Sequence, residues 1–201
     1  MFDYAAYARE LREELHRIPE IGFDLPKTIA VVHRELEAMG LEHTDKYGPS
    51  SVVAYINPGM PFTIGLRGDM DALPLQEDSG LPFASTNGNM HACGHDGHMA
   101  MLLKMAEKLN NTTCKRNICL IFQPSEENYG GALKVINSKE YDLLNIKEVY
   151  LAINPDNLQD DHVYLEKLYN NGIKVYALYG DPIFIDESMY DGVIDYNMNK
   201  V

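Results

Sequence analysis

The residues best suited to metal binding are concentrated in segment 91–98, which reads HACGHDGH. This segment holds three histidines, one cysteine and one aspartate within eight residues. Cysteine sulfur and imidazole nitrogen suit zinc, and with less selectivity cobalt, nickel or manganese. A polar loop with one buried cysteine could have the same sequence. The spacing alone therefore leaves both interpretations open, a metal site and a polar loop. Cys93 and His95 are therefore candidate ligands that need support from elsewhere in the chain.

Two acidic clusters supply that support, because each follows a predicted strand. Asp69 and Asp71 follow one strand, and alternation along the chain places both on the same side. Glu126 and Glu127 follow another strand and, being adjacent, point in different directions, so one could bind a metal while its neighbour activates water. Open α/β sheets bind ligands at the carboxyl ends of their strands. We therefore expect these carboxylates to meet the cysteine–histidine segment in one cleft.

The elements that must position these residues alternate between helix and strand. Apolar periodicity predicts helices at 4–17, 27–39 and 96–109, a further helix from 130, and strands at 51–57, 62–68, 117–123 and 148–154. Asp3 is the expected N-cap of the first helix. Segment 73–90 lacks periodicity and is rich in Pro, Gly, Ser and Asn, which predicts a long loop. The alternation predicts an α/β domain over residues 1–156, with a mainly parallel sheet flanked by helices.

The composition of the chain changes after Pro155. Three short apolar runs, IKVYALY, PIFI and YDGVIDYNM, indicate antiparallel strands. We therefore predict a short β-rich extension over residues 157–201.

Charge and composition narrow the classes of partner. The 201 residues suit one domain or slightly more, and the formal net charge of -13 repels phosphate backbones and anionic lipid. We therefore expect no nucleic-acid partner and no membrane association. The first twenty residues carry charges where a signal peptide needs an apolar segment, and the three cysteines show no disulfide spacing. Both observations predict a cytoplasmic protein in which Cys114 and Cys119 are structural thiols.

Longer strings in the sequence resemble those of a known enzyme family. LRGDMDALP, GLPFASTNGNMHACGHDGHMAMLL and FQPSEENYGGA are similar to motifs of the M20 metallopeptidase family. The likeness is to its amidohydrolase branch, which includes N-acetyldiaminopimelate deacetylases, hippurate hydrolases and auxin-conjugate hydrolases. LHRIPEIGF near the N-terminus resembles that branch too, and YGDPIFIDESMYDGVID is weakly similar to the stretch that leads into the family's lid domain. The resemblance implies a zinc-peptidase-like catalytic domain.

The resemblance also implies roles for individual residues. It implies metal ligands at three positions, Cys93, His95 and Glu127. Glu126 matches the general base that activates water, and Asp71 matches the aspartate that orients neighbouring groups. Asp69 stands where many relatives outside this branch have a histidine ligand. The implied reaction is hydrolysis of a small N-acyl amino acid or peptide with one or two divalent cations: zinc, manganese, cobalt or nickel.

The chain departs from the family pattern in two ways. Ala152 occupies a position where the family has another histidine ligand, and family members extend well beyond the length of this chain. We therefore expect a truncated catalytic domain that holds one metal weakly or none and hydrolyses N-acyl amino acids slowly or not at all. One reading is an impaired amidohydrolase that works as a homodimer or with a complementing subunit. The alternative is a non-catalytic binding or regulatory protein, or half of a split enzyme.

Overall fold

The computed structural model describes residues 2–127, 130–152, 168, 170–178 and 192–194. The helices are α1 (Tyr4–His16), α2 (Pro26–Ala38), α3 (His95–Asn110), α4 (Gly131–Ile136) and a short 3-10 helix (Tyr141–Leu144). The strands are β1 (Glu42–Thr44), β2 (Val52–Ile56), β3 (Thr63–Asp69), β4 (Asn117–Gln123), β5 (Ile146–Ala152), β6 (Lys174–Leu178) and β7 (Gly192–Ile194). Among these described helices, none is both long enough and apolar enough to cross a membrane.

Helix starts follow local backbone chemistry. The side chain of Asp3 accepts hydrogen bonds from the N–H groups of Ala5 and Ala6, which confirms the predicted N-cap of α1. Pro26 opens α2, where its missing N–H has no cost. Gly94 precedes α3 with φ of 80°, a left-handed conformation that glycine adopts without strain. The chain can therefore turn sharply and begin α3 at His95.

The seven strands form one sheet in the order β1-β2-β4-β3-β5-β6-β7. The strands β4, β3, β5, β6 and β7 run parallel to one another, whereas β2 pairs antiparallel with β4, and β1 pairs antiparallel with β2 at the edge of the sheet. This arrangement confirms the predicted α/β fold with a mainly parallel sheet flanked by helices. Every residue of β4 after Asn117 is buried, as expected for a strand with both faces covered.

The last two strands correct the sequence-based prediction of antiparallel pairing. β6 pairs parallel with β5, with Val175 opposite Val149, and β7 pairs parallel with β6. Apolar runs indicate extended backbone but carry no information on strand direction, which depends on the connection between strands. The run PIFI lies outside the described residues. The predicted domain boundary at residue 156 stays a prediction, although β6 and β7 belong to the same sheet as the earlier strands.

Two apolar cores lie on opposite faces of the sheet, because alternate residues of each strand belong to different cores. The first core joins α1, α2 and α3 to strand residues Val52, Ala54, Ile118, Leu120 and Phe122. The second joins α4 and the 3-10 helix to strand residues Val53, Cys119, Ile121, Val149 and Val175. Helices thus pack on both faces of the sheet, and this packing fixes the positions of the carboxyl ends of β3 and β4.

Candidate metal centre

The close approach of α3 to β3 creates the site. Gly68 has no side chain, and a Cβ there would lie 3.3 Å from the backbone oxygen of His98. The helix can therefore pack directly against the strand end that carries Asp69. His98 Nδ1 lies 3.4 Å from Asp69 Oδ2, and His95 Nε2 lies 3.9 Å from the same oxygen. Two imidazoles and one carboxylate are thus gathered at the carboxyl end of β3.

Asp71 joins the glutamate pair, Glu126 and Glu127, to His95. Its Oδ1 accepts the backbone N–H of Glu126 at 2.9 Å, and its Oδ2 accepts that of Glu127 at 3.1 Å. Its backbone oxygen lies 2.7 Å from His95 Nδ1. Because a carbonyl oxygen only accepts hydrogen bonds, Nδ1 must carry the proton, which leaves Nε2 of the neutral ring as a potential ligand. Asp71 therefore sets both the backbone of the glutamate pair and the orientation of the histidine.

His95 Nε2 is the centre of the donor arrangement. It lies 3.7 Å from Glu126 Oε2 and 3.9 Å from Glu127 Oε1. Two groups of three donors, each with its atoms within 4.8 Å of one another, could hold a cation: His95, Glu126 and Glu127, and Asp69, His95 and His98. Both groups need His95, and one nitrogen lone pair can bind only one ion. The two groups are therefore alternatives for any cation that uses His95.

The chemistry of the donors fits a divalent cation. Ligands 2.0–2.2 Å from a tetrahedral ion are roughly 3.4 Å apart, which is close to the separations around His95 Nε2. Glu127 Oε1 is buried and makes no hydrogen bond within the described part of the chain, so a cation would satisfy it. One imidazole nitrogen and two carboxylate oxygens suit zinc, manganese, cobalt and nickel. Three protein ligands leave further coordination positions for water or substrate.

The excess of carboxylates changes the protonation of the site without metal. Burial alone would lower the pKa of His95, but the Asp71 hydrogen bond and nearby carboxylates raise it to about 9. Burial and the charge of Asp69 raise the pKa of Glu126 to about 7. Burial would also raise the pKa of Asp69, but Arg67 and the neighbouring histidines outweigh it and lower the pKa. The site therefore holds a proton on His95 where a cation could replace it.

The structure brings together five of the six residues that the sequence pointed to. These are Asp69, Asp71, His95, Glu126 and Glu127. Cys93 is partly buried two residues before α3, and it belongs to neither three-donor group among the described residues. Its role as a ligand, like the roles assigned to the other residues, stays a prediction.

Two residues of the site were missed by the sequence-based reasoning. His98 follows His95 by three residues, a spacing that places both on one helix face, so the signal was present. Arg67 precedes Asp69 by two residues on β3, and its buried guanidinium pairs with the Asp69 carboxylate. Its Nε also donates to Gln123 Oε1 at 2.8 Å. A charged residue within an apolar strand pattern was the available signal for Arg67.

Comparisons of the sequence with known proteins point to one family. The model of peptidase family M20/M25/M40 matches residues 65–191. A hippurate hydrolase from Campylobacter jejuni is 37% identical over 169 residues, which cover 83% of this chain and 44% of the relative. An N-acetyldiaminopimelate deacetylase from Lactococcus lactis is 40% identical over 126 residues, which cover 61% of this chain and 34% of the relative. The chain therefore spans less than half the length of these two relatives.

A solved structure shows the same architecture. The crystal structure of a dinuclear metal-binding peptidase of the M20 family from Bacillus subtilis superposes with a TM-score of 0.70 at 36% sequence identity. The match covers 76% of this chain and 44% of that chain. The fold described above is thus that of a metallopeptidase catalytic domain.

Proposed function

Since the chain belongs to peptidase family M20/M25/M40, we propose that it binds a divalent cation through His95 and Glu127 for hydrolysis of amide bonds, with Glu126 as the general base. The proposed substrates are small N-acyl amino acids or peptides. The names of its hippurate hydrolase and N-acetyldiaminopimelate deacetylase relatives point to this class of substrate. The observation that carries the proposal is the Asp71 arrangement. One buried carboxylate fixes both glutamates, and the same residue's carbonyl turns His95 Nε2 towards them.

The proposed mechanism divides the work between adjacent residues. A bound cation would polarise the amide carbonyl and lower the pKa of water. Glu126 takes a proton from the attacking water and delivers it to the leaving nitrogen, a role that needs a pKa near the working pH. Its pKa of about 7 in the metal-free protein suits that role, and burial is the main cause. His95 and Glu127 hold the cation, and Cys93 is a further proposed ligand.

The identity and number of the metal ions belong to the same proposal. Zinc, manganese, cobalt and nickel all suit the donors, and the Bacillus subtilis relative is described as dinuclear. Ala152 ends β5, which pairs with β3, so it lies in a strand beside the one that carries Asp69. Alanine has no donor atom, which supports a single, weakly held cation and slow turnover. The same residue supports the alternative of a non-catalytic binding protein or half of a split enzyme.

One experiment separates these functions. The purified chain is loaded with zinc, manganese or cobalt, its metal content is measured, and turnover of N-acetyl and N-benzoyl amino acids is followed. We expect sub-stoichiometric to single metal occupancy and slow hydrolysis that Glu126→Gln abolishes while metal binding persists. Glu10→Gln, an exposed glutamate on α1, is the matched control and should leave turnover unchanged.

Other outcomes identify the alternatives. Metal uptake without turnover on any substrate of the panel supports the non-catalytic reading. Turnover that persists in Glu126→Gln contradicts the assignment of the base. Two tightly held ions per chain contradict the role assigned to Ala152.

The setting of the protein is also proposed rather than observed. A cytoplasmic location is supported by the cysteine content, and subcellular fractionation tests it. We also propose that a second copy of the chain, or a complementing subunit, completes the metal site. Light scattering of the purified chain, with and without metal, measures the oligomeric state.

A further inference from the structure

A second buried cluster of charged residues lies outside the proposed mechanism and is centred on His16, the last residue of α1. His16 Nδ1 lies 2.7 Å from Asp96 Oδ2, and His16 Nε2 lies 3.0 Å from Glu77 Oε1. The histidine side chain is only 4% exposed and both carboxylates are fully buried. One imidazole therefore joins three separate parts of the chain: α1, the loop 73–90 and the first turn of α3.

Further hydrogen bonds hold both carboxylates in place. Arg12 Nε donates to Asp96 Oδ2 at 3.1 Å from the preceding turn of α1. Glu77 Oε2 accepts the backbone N–H of Ser85 at 2.6 Å, and its other oxygen accepts the Ser79 hydroxyl. The loop is thus folded around Glu77, and Glu77 is tied to α1 through His16.

The protonation of the cluster agrees with this geometry. Burial alone would lower the pKa of His16, but hydrogen bonds to Glu77 and Asp96 outweigh it and raise the pKa. Burial would raise the pKa of Glu77, but Ser79, His16 and the Ser85 amide lower it to about 2. Both ring nitrogens can donate only in the imidazolium form, which is the form that two flanking carboxylates favour.

Stability is a weak explanation for such a cluster. Removing three charged groups from water costs free energy, and well-packed apolar residues of similar size often give equal or greater stability. The positions of its members point to another role. Asp96 directly follows His95, and loop 73–90 begins two residues after Asp71, whose carbonyl binds His95. Both carboxylates held by His16 therefore belong to segments that continue directly into the metal site.

We propose that His16 is a positioning residue: by joining Glu77 to Asp96 it holds loop 73–90 and the start of α3 in the arrangement that presents His95 to the glutamate pair. This inference rests on the proposed function only in making His95 a metal ligand. The proposed positioning of His95 by His16 does not require a bound metal, so the position of His95 is measured first in the metal-free protein.

The first experiment examines the metal-free protein by NMR with ¹⁵N-labelled histidine. In the wild type the Nδ1 proton of His95 should be protected by its bond to Asp71. His16→Ala should broaden or remove that signal and increase amide exchange in loop 73–90. Leu36→Ala serves as the control, because Leu36 lies on α2 and is buried in the apolar core that α2 shares with α1 and α3. It should lower stability and leave the His95 proton signal unchanged.

The second experiment measures Co²⁺ binding and its visible spectrum at a temperature where all variants are folded. His16→Ala should weaken Co²⁺ affinity about tenfold, as substitutions behind a ligand commonly do, and should change the absorption bands. Glu77→Gln is a milder variant that removes only the negative charge of Glu77. It should change the Co²⁺ affinity and the absorption bands in the same direction as His16→Ala.

The two experiments have separate failures. If His16→Ala and Glu77→Gln match Leu36→Ala in the His95 signal and in Co²⁺ affinity, His16 is merely structural and the inference is wrong. If the wild type takes up no Co²⁺, the proposed function fails, and the NMR experiment still decides the role of His16.

Discussion

Asp71 is the residue on which the candidate site depends most, since it makes three contacts from a fully buried position. Asp71→Asn keeps the size of the side chain but replaces one acceptor oxygen with an NH₂ donor. That donor would face a backbone N–H of the glutamate pair and leave it unsatisfied, at a cost of about 1–3 kcal/mol. We expect lower stability in chemical unfolding and weaker metal binding in calorimetry. Asp142→Asn, at an exposed position, should change neither, and wild-type metal affinity in Asp71→Asn would contradict this account.

Metal affinity should depend on pH because His95 holds a proton in the metal-free protein. Its pKa is raised to about 9, and a cation must displace that proton to bind Nε2. Below pH 9 the apparent affinity should therefore fall by up to about tenfold per pH unit.

Calorimetry in two buffers of different ionisation enthalpy measures this proton release. We expect close to one proton released per metal ion at pH 8. His95→Gln should lose most of the binding and the pH dependence with it. An affinity that stays constant between pH 7 and pH 9 would show that His95 is not a ligand.

The donor residues were predictable from sequence, whereas their organisation was not. Carboxylates after two strands and a histidine at the start of a helix are local patterns that a sequence displays. Five of the six expected residues do lie together at the carboxyl ends of β3 and β4. The contacts of Asp71 depend on the backbone of a turn 55 residues away, which no local pattern describes. Cys93 shows the same limit, because the direction of a side chain in a turn depends on the backbone angles around it.

At the scale of elements, the turn between β4 and α4 positions Glu126 and Glu127. Gly131 opens α4, and a Cβ at this residue would lie 1.6 Å from the backbone oxygen of Pro124. Gly131→Ala must therefore move either the turn or the helix. We expect a loss of roughly 3 kcal/mol or more in the free energy of unfolding, together with weaker metal binding.

Gly97→Ala is the control, because a Cβ there meets no atom within 4 Å although the residue lies in the first turn of α3. It should leave both readouts near wild type. If Gly131→Ala is as well tolerated, the close approach of α4 to the turn is not a constraint on the site.

Elements with strong periodicity were predictable, and short or paired features were not. The helices α1, α2 and α3 have apolar faces long enough to show a period. β1 has three residues and the 3-10 helix has four, so neither could show a period. The direction of β6 and β7 was wrong because it follows from the path of the connecting chain.

At the scale of the molecule, the sheet joins both parts of the sequence that composition divides near residue 156. Leu168, Ile173 and Val175 lie beyond that boundary, yet all three are buried in the core beneath α4. Val175 is fully buried opposite Val149 of β5. The described part of the extension therefore completes an apolar core that it shares with β4, β5 and α4.

This shared core predicts that the chain unfolds in one cooperative transition. Val175→Ala removes two buried methyl groups and should lower the free energy of unfolding by about 2 kcal/mol. Because α4 packs on the same core, exchange of the α4 amides should increase as well, although α4 lies about forty residues earlier in the chain. Lys174→Ala, at the exposed neighbouring position of β6, should change neither measurement. Two separate transitions, with only the later one shifted by Val175→Ala, would show that residues 157–201 form a unit of their own, and the boundary read from composition would then be a physical one.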